Sequence, residues 1–131
     1  MKRRLKWGLL IGALLLAVLF FLPHRFVRDT DSIAINWVVY GGYGGENLAL
    51  TQEQTEALQE LICSAYVVRT GGYHTSGAEP LVEISFRADG QPGHLELGEA
   101  DFMYHSAGAW QFFSILQGEQ FRREVLSILG K

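Results

Sequence analysis

The sequence has little of two residue types that shape small folds, cysteine and proline. It contains one cysteine, Cys63, and three prolines among its 131 residues. A lone thiol cannot close an internal disulfide, so we expect a hydrophobic core to hold the fold together. Cys63 follows Leu61 and Ile62, and this apolar setting favours a small buried residue over a reactive thiol. The length leaves room for one domain and excludes a two-domain enzyme.

Sequence motifs of the common catalytic and cofactor sites are absent. The four histidines lie 50, 20 and 11 residues apart, at His24, His74, His94 and His105. This excludes the H-x-x-x-H and H-E-x-x-H spacings of helical metal sites. No serine stands in a G-x-S-x-G elbow, and the glycines of residues 41–45 form no phosphate-binding motif. We therefore predict a non-catalytic protein without a cofactor.

Basic side chains are scarce beyond the first six residues. Those six carry Lys2, Arg3, Arg4 and Lys6 without an acid, a charge of +4. The rest of the chain has 7 Lys and Arg against 14 Asp and Glu, a charge of −7. Because a domain of that charge repels phosphate, we predict that it does not bind nucleic acid.

A long apolar run follows the basic residues. Residues 7–22 contain no charge, and Pro23 ends the run. We interpret residues 7–22 as an uncleaved transmembrane anchor, because bulky side chains stand where a signal-peptide cleavage site has small ones. A cleaved secretory signal and a buried helix of a purely soluble protein are the alternatives. Gly8 and Gly12 form a G-x-x-x-G pattern, through which two such helices can pair and the protein self-associate.

The charge on the two flanks of the run predicts its orientation. The basic segment, residues 1–6, contains more basic residues than the flank that follows the run. This excess places the N-terminus in the cytoplasm. Residues 23–31 then form a tether, and residues 32–131 form an extracytoplasmic domain. The predicted location is the cell membrane, in a single-pass protein.

Hydrophobic periodicity predicts an α+β fold for residues 32–131. Strict alternation of apolar side chains predicts a strand that places Ile33, Ile35, Trp37 and Val39 on one face. The cleanest strand covers residues 81–87, and the Asp89-Gly90 pair predicts a hairpin to a second strand. Shorter strands are expected at residues 65–70, 102–105 and 110–113.

Two amphipathic helices complete this pattern. Thr51 and Gln54 have the spacing of a capping box and predict a helix that begins there. Residues 119–129 carry a second apolar stripe at helical spacing. We predict a small antiparallel sheet with both helices packed on one face, which leaves the other face exposed.

The exposed face and two glycine-rich loops supply the candidate binding residues. The Gly-Gly-Tyr tripeptide occurs twice, and each copy follows a predicted strand. The predicted binding surface consists of Tyr43, Tyr73, Glu83, Arg87, His94 and Glu96. We predict no bound metal; if neighbouring strands do assemble a metal site, its candidates are His94, Glu96 and His105.

The layout resembles a group of known proteins. It combines a basic N-terminus, one hydrophobic run, the L-T-Q-E-Q sequence of residues 50–54, the E-I-S-F-R-A-D-G sequence of residues 83–90 and a C-terminal helix. This resembles small membrane-anchored extracytoplasmic domains of unknown function from Gram-positive bacteria. The resemblance implies the membrane anchor and the α+β domain, and it transfers no catalytic residue.

These observations predict an interaction domain that binds a protein or a cell-envelope component without catalysis. The first alternative is a small envelope hydrolase, with or without a metal ion, that uses some of His74, His94, Glu96 and His105. The second alternative is a membrane assembly protein that self-associates through its anchor helix.

Overall fold

The computed structural model describes residues 1–25, 27, 32–69, 79–99, 102–106 and 112–131. In these residues the chain forms an α+β fold with the following elements: α1 (Lys2–Phe20), β1 (His24–Arg25), β2 (Ile33–Tyr40), β3 (Glu46–Asn47), α2 (Gln52–Ser64), β4 (Tyr66–Arg69), β5 (Val82–Ala88), β6 (Gln91–Leu97), β7 (Phe102–Ser106), β8 (Phe112–Ile115) and α3 (Gly118–Leu129).

The prediction of a transmembrane anchor over residues 7–22 is wrong. In the described part of the chain, no helix has the length and apolar character needed to cross a membrane. The four basic residues lie inside α1, and the helix ends at Phe20. Its uncharged part, residues 7–20, is about 21 Å long at about 1.5 Å per residue, against about 30 Å of hydrocarbon. The predicted single-pass location, with a cytoplasmic N-terminus and an extracytoplasmic domain, is wrong for the same reason.

The eight strands form one antiparallel sheet in the order β1-β4-β8-β7-β6-β5-β2-β3. The predicted hairpin of β5 and β6 is confirmed. Asp89 and Gly90 both have positive φ, 52° and 77°, which is typical of the two-residue turn that matches the twist of the flanking strands. This turn pairs Ala88 with Gln91 and fixes the register of every residue along the hairpin.

A β-bulge at Asn36 changes the faces of strand β2. Ile35 lies opposite Phe86, but Trp37, two residues later, lies opposite the very next position, Ser85. Beyond the bulge Val38 is buried, and Trp37 is 37% exposed. The prediction that Trp37 shares a face with Ile33 and Ile35 is therefore wrong, because the extra residue reverses the alternation.

Helix α2 begins where the sequence predicts. The Thr51 hydroxyl accepts a hydrogen bond from the Gln54 backbone at 3.1 Å, and the Thr51 backbone donates to the Gln54 side chain at 2.9 Å. This is the predicted capping box. Gln54 also donates to the Ile128 carbonyl at 3.1 Å, so the start of α2 is joined to the end of α3.

The core lies between one face of the sheet and the two helices. Strands and helices contribute to a single cluster of buried side chains, among them Val38, Leu58, Ile62, Val82, Ile84, Phe86, Leu95, Leu97, Phe121, Val125 and Leu129. Cys63 is only partly buried at the edge of this cluster, which differs from the buried position predicted for it. Phe86 packs over its register partner Gly93, where a Cβ would come within 2.6 Å of the ring.

We expect Gly93→Ala to destabilise the fold by about 1–3 kcal/mol, because the added methyl must displace a fully buried ring. Urea unfolding of the purified chain measures this free energy. The control is Gly8→Ala, where the added Cβ has nothing within 4 Å. Equal stability of the Gly93 variant and wild type would contradict the packing described.

Candidate metal centre

The candidate site lies on the outer face of the β5–β6 hairpin. Glu83 on β5 is the register partner of Glu96 on β6, and Ser85 is the partner of His94. The residues between them along the strands, such as Ile84 and Leu95, are buried in the core. Because successive side chains of a strand point to opposite faces, the polar residues lie on the outer face. The buried neighbours on the same strands fix their positions.

Three potential ligands meet on this face. His94 Nε2 lies 3.7 Å from Glu83 Oε1 and 3.5 Å from Glu96 Oε1. One ligand atom from each of the three residues can be chosen so that all lie within 4.8 Å of one another. The side chains are 21% exposed for His94 and 17% for each glutamate. The cluster is thus shielded by its neighbours but open to an ion from solution.

Trp37 forms one wall of the cluster. Its ring centroid lies 5.6 Å from that of His94, with the two planes at 64°. This edge-to-face contact restricts the tilt of the imidazole. The bulge that brings Trp37 to this face is also fastened to the hairpin, since Asn36 Nδ2 donates to Ser85 Oγ at 3.3 Å.

Sequence reasoning missed Trp37 as a site residue. The periodicity of β2 placed it with the core, and a bulge leaves no periodic signal. The one available sign was Asn36 itself, a residue type that is rare inside strands.

The carboxylates of Glu83 and Glu96 repel each other across the hairpin. Like charges directly opposite each other in a sheet destabilise it, so the pair favours a cation between the carboxylates. Arg87, on the same strand as Glu83, donates to the Gly90 carbonyl in the hairpin turn at 3.2 Å. A bound metal ion can supply the positive charge that the pair favours.

The remaining predicted site residues lie elsewhere or outside the described structure. Tyr43 is 69% exposed in the β2–β3 loop, and its backbone donates to the Glu79 carboxylate at 3.2 Å. Tyr73 and His74 lie outside the described residues. His105 is the register partner of His94 on β7, but its side chain is not among the described ones. Gly8 and Gly12 lie in α1 with open space around them.

The spacing of the cluster fits a metal ion better than direct hydrogen bonds. Hydrogen bonds between nitrogen and oxygen are about 2.7–3.2 Å long, shorter than both measured separations. Two ligands that each lie about 2.0–2.1 Å from a tetrahedral Zn²⁺ are separated by about 3.4 Å. The 3.5 and 3.7 Å separations of His94 Nε2 from the two carboxylates lie close to that value.

The chain matches no protein family model, no curated protein and no solved structure. The resemblance to Gram-positive extracytoplasmic domains therefore stays a prediction.

Without metal, we expect Glu83→Gln to stabilise the fold by about 0.2–1 kcal/mol at alkaline pH, because it removes the cross-strand repulsion between two carboxylates. Chemical unfolding in the presence of a chelator measures this difference. The matched control is Glu46→Gln, an exposed glutamate on β3 whose register partner is Tyr40. A loss of stability in the Glu83 variant alone would contradict the repulsion.

Proposed function

We propose that this chain is a non-catalytic binding domain whose ligand is a divalent transition-metal ion held by Glu83, His94 and Glu96. The observation that carries the proposal is the convergence of an imidazole nitrogen and two carboxylate oxygens within 4.8 Å. These residues come from two strands of one hairpin, so its register alone assembles the site.

The ligand set indicates which ions fit. One neutral imidazole and two carboxylates balance the charge of a divalent cation. Imidazole suits zinc, cobalt, nickel and similar ions, whereas magnesium and calcium favour sites made of oxygen ligands alone. We therefore propose Zn²⁺ or a comparable first-row ion, with the coordination completed by water or by a group on a partner.

The position of the cluster supports binding rather than catalysis. It lies on an open sheet face, whereas catalytic sites favour concave pockets that exclude water. A groove among the described residues is lined by other elements, among them Leu61 of α2 and Phe121 of α3. We also propose that the domain has no catalytic activity and that its partner is a protein or a cell-envelope component.

Isothermal titration of the chelator-treated full chain with Zn²⁺ tests the proposal. We expect one equivalent of metal per chain, because the described residues hold one such cluster. Replacement of His94 or Glu96 by Gln should weaken binding at least about tenfold, since each removes a direct ligand.

Two control variants make this titration specific. Glu46→Gln removes an exposed strand carboxylate outside the cluster and should bind Zn²⁺ as wild type does. His105→Ala asks whether the residue opposite His94 in the register adds to the affinity. Unchanged stoichiometry and affinity in the His94 and Glu96 variants would overturn the proposal.

A further inference from the structure

A concave site is formed by elements other than the β5–β6 hairpin. An open groove of about 520 Å³ runs between the C-terminal end of α2 and the N-terminal half of α3. Ser64, Tyr66, Leu116, Gln117, Gln120 and Glu124 line it. Its volume falls within the range of about 300–1,000 Å³ that is typical of small-molecule sites.

The polar groups of the groove are neutral apart from one carboxylate. Among the described residues that line it, Glu124 is the only charged one, beside two glutamine side chains and a serine hydroxyl. Amides and hydroxyls both donate and accept hydrogen bonds. A carboxylate repels phosphate and other anions. The composition therefore favours a neutral ligand rich in hydroxyl groups.

Part of this polar wall is already ordered. Gln120 Nε2 donates to Glu124 Oε1 at 3.1 Å, one turn apart on α3. The next residue, Phe121, is buried in the core and fixes the helix beneath the pair. Both side chains thus lose less conformational freedom when a ligand binds, which favours affinity.

Two of the lining side chains offer apolar surface to a ligand. Tyr66 is 45% exposed and Leu116 is 41% exposed. The guanidinium of Arg25, which is not among the residues that line the groove, lies 5.4 Å from the centroid of the Tyr66 ring, and this cation–π contact holds the ring in place. An aromatic and an aliphatic side chain in the same groove as two glutamines suit a ligand with one apolar face and a polar rim.

We propose that this groove binds a neutral pyranose sugar, as a free saccharide or as part of a glycan. A pyranose ring has an apolar face of C–H groups, which pack on aromatic and aliphatic side chains. Its hydroxyls match the mixed donors and acceptors of the glutamines, Ser64 and Glu124. This site is independent of the proposed metal centre and needs no metal.

The test is an NMR titration of the isotope-labelled full chain with glucose, with N-acetylglucosamine and with cellobiose, in a chelating buffer. Because the groove is small and open, we expect millimolar affinity. Shifts should appear at the backbone signals of Ser64, Tyr66 and Gln120. The matched anionic probe, glucose 6-phosphate, should bind at least about tenfold more weakly than glucose, because Glu124 repels it.

Two variants and a matched control locate the binding. Tyr66→Ala and Gln120→Ala should each weaken sugar binding at least about tenfold. The control is Gln52→Ala, because Gln52 donates to Glu56 on α2 at 2.9 Å, the same helical spacing, and neither residue is among those that line the groove.

Three results would overturn the proposal. The first is no shift up to about 10 mM sugar, a concentration well above the expected dissociation constant. The second is tighter binding of the sugar phosphate than of the sugar. The third is equal loss in the Gln52 control. Since chelator is present throughout, failure here leaves the metal proposal unaffected, and loss of metal binding leaves this proposal unaffected.

Discussion

The register of the β5–β6 hairpin is the constraint on which the rest of the structure depends. The Asp89-Gly90 turn takes up backbone angles that only a few residue types tolerate, and it determines which residues face each other along seven pairs. Burial of Ile84, Phe86 and Leu95 against the helices makes that register costly to change, since a slip by one residue would turn the buried side chains of the shifted strand to the outer face. The same register brings Glu83, Glu96 and His94 together on the outer face.

The outer face and the helix face of this sheet serve different roles. Helices α2 and α3 cover the inner face and build the core, and their ends, with neighbouring strand residues, form the groove between Ser64 and Glu124. The outer face keeps its polar residues, and the bulge at Asn36 adds Trp37 to them. A ligand on one face is therefore separated by the core from a ligand in the groove, which is why the two proposals can be tested independently.

Much of the fold could be predicted from local signals. The capping box of Thr51 and Gln54 and the Asp89-Gly90 turn work through neighbours in sequence, so a sequence reading finds them. The bulge in β2 could not be predicted in this way, because it depends on pairing with β5. Strands β1 and β3 have two residues each, too few for any periodicity. The membrane prediction failed because it rested on the apolar run alone. The helix that contains this run also includes the basic residues and ends at Phe20, so its uncharged part is shorter than the run.

The candidate site was predicted in part. His94 and Glu96 were candidates for a metal site, and Glu83 for the binding surface, but only the hairpin register shows that the three meet. Trp37 was missed because the bulge at Asn36 reverses the alternation of β2. Tyr73 and the side chain of His105 lie outside what the structure describes, so their predicted roles stay predictions.

X-ray absorption spectroscopy of the Zn²⁺-loaded chain tests the central claim most directly, because it counts the nitrogen and oxygen neighbours of the ion. The account predicts one imidazole and carboxylate oxygens at about 2.0–2.1 Å, and loss of the imidazole signal in His94→Gln. A shell of six oxygens, or an imidazole signal that survives in that variant, would contradict it.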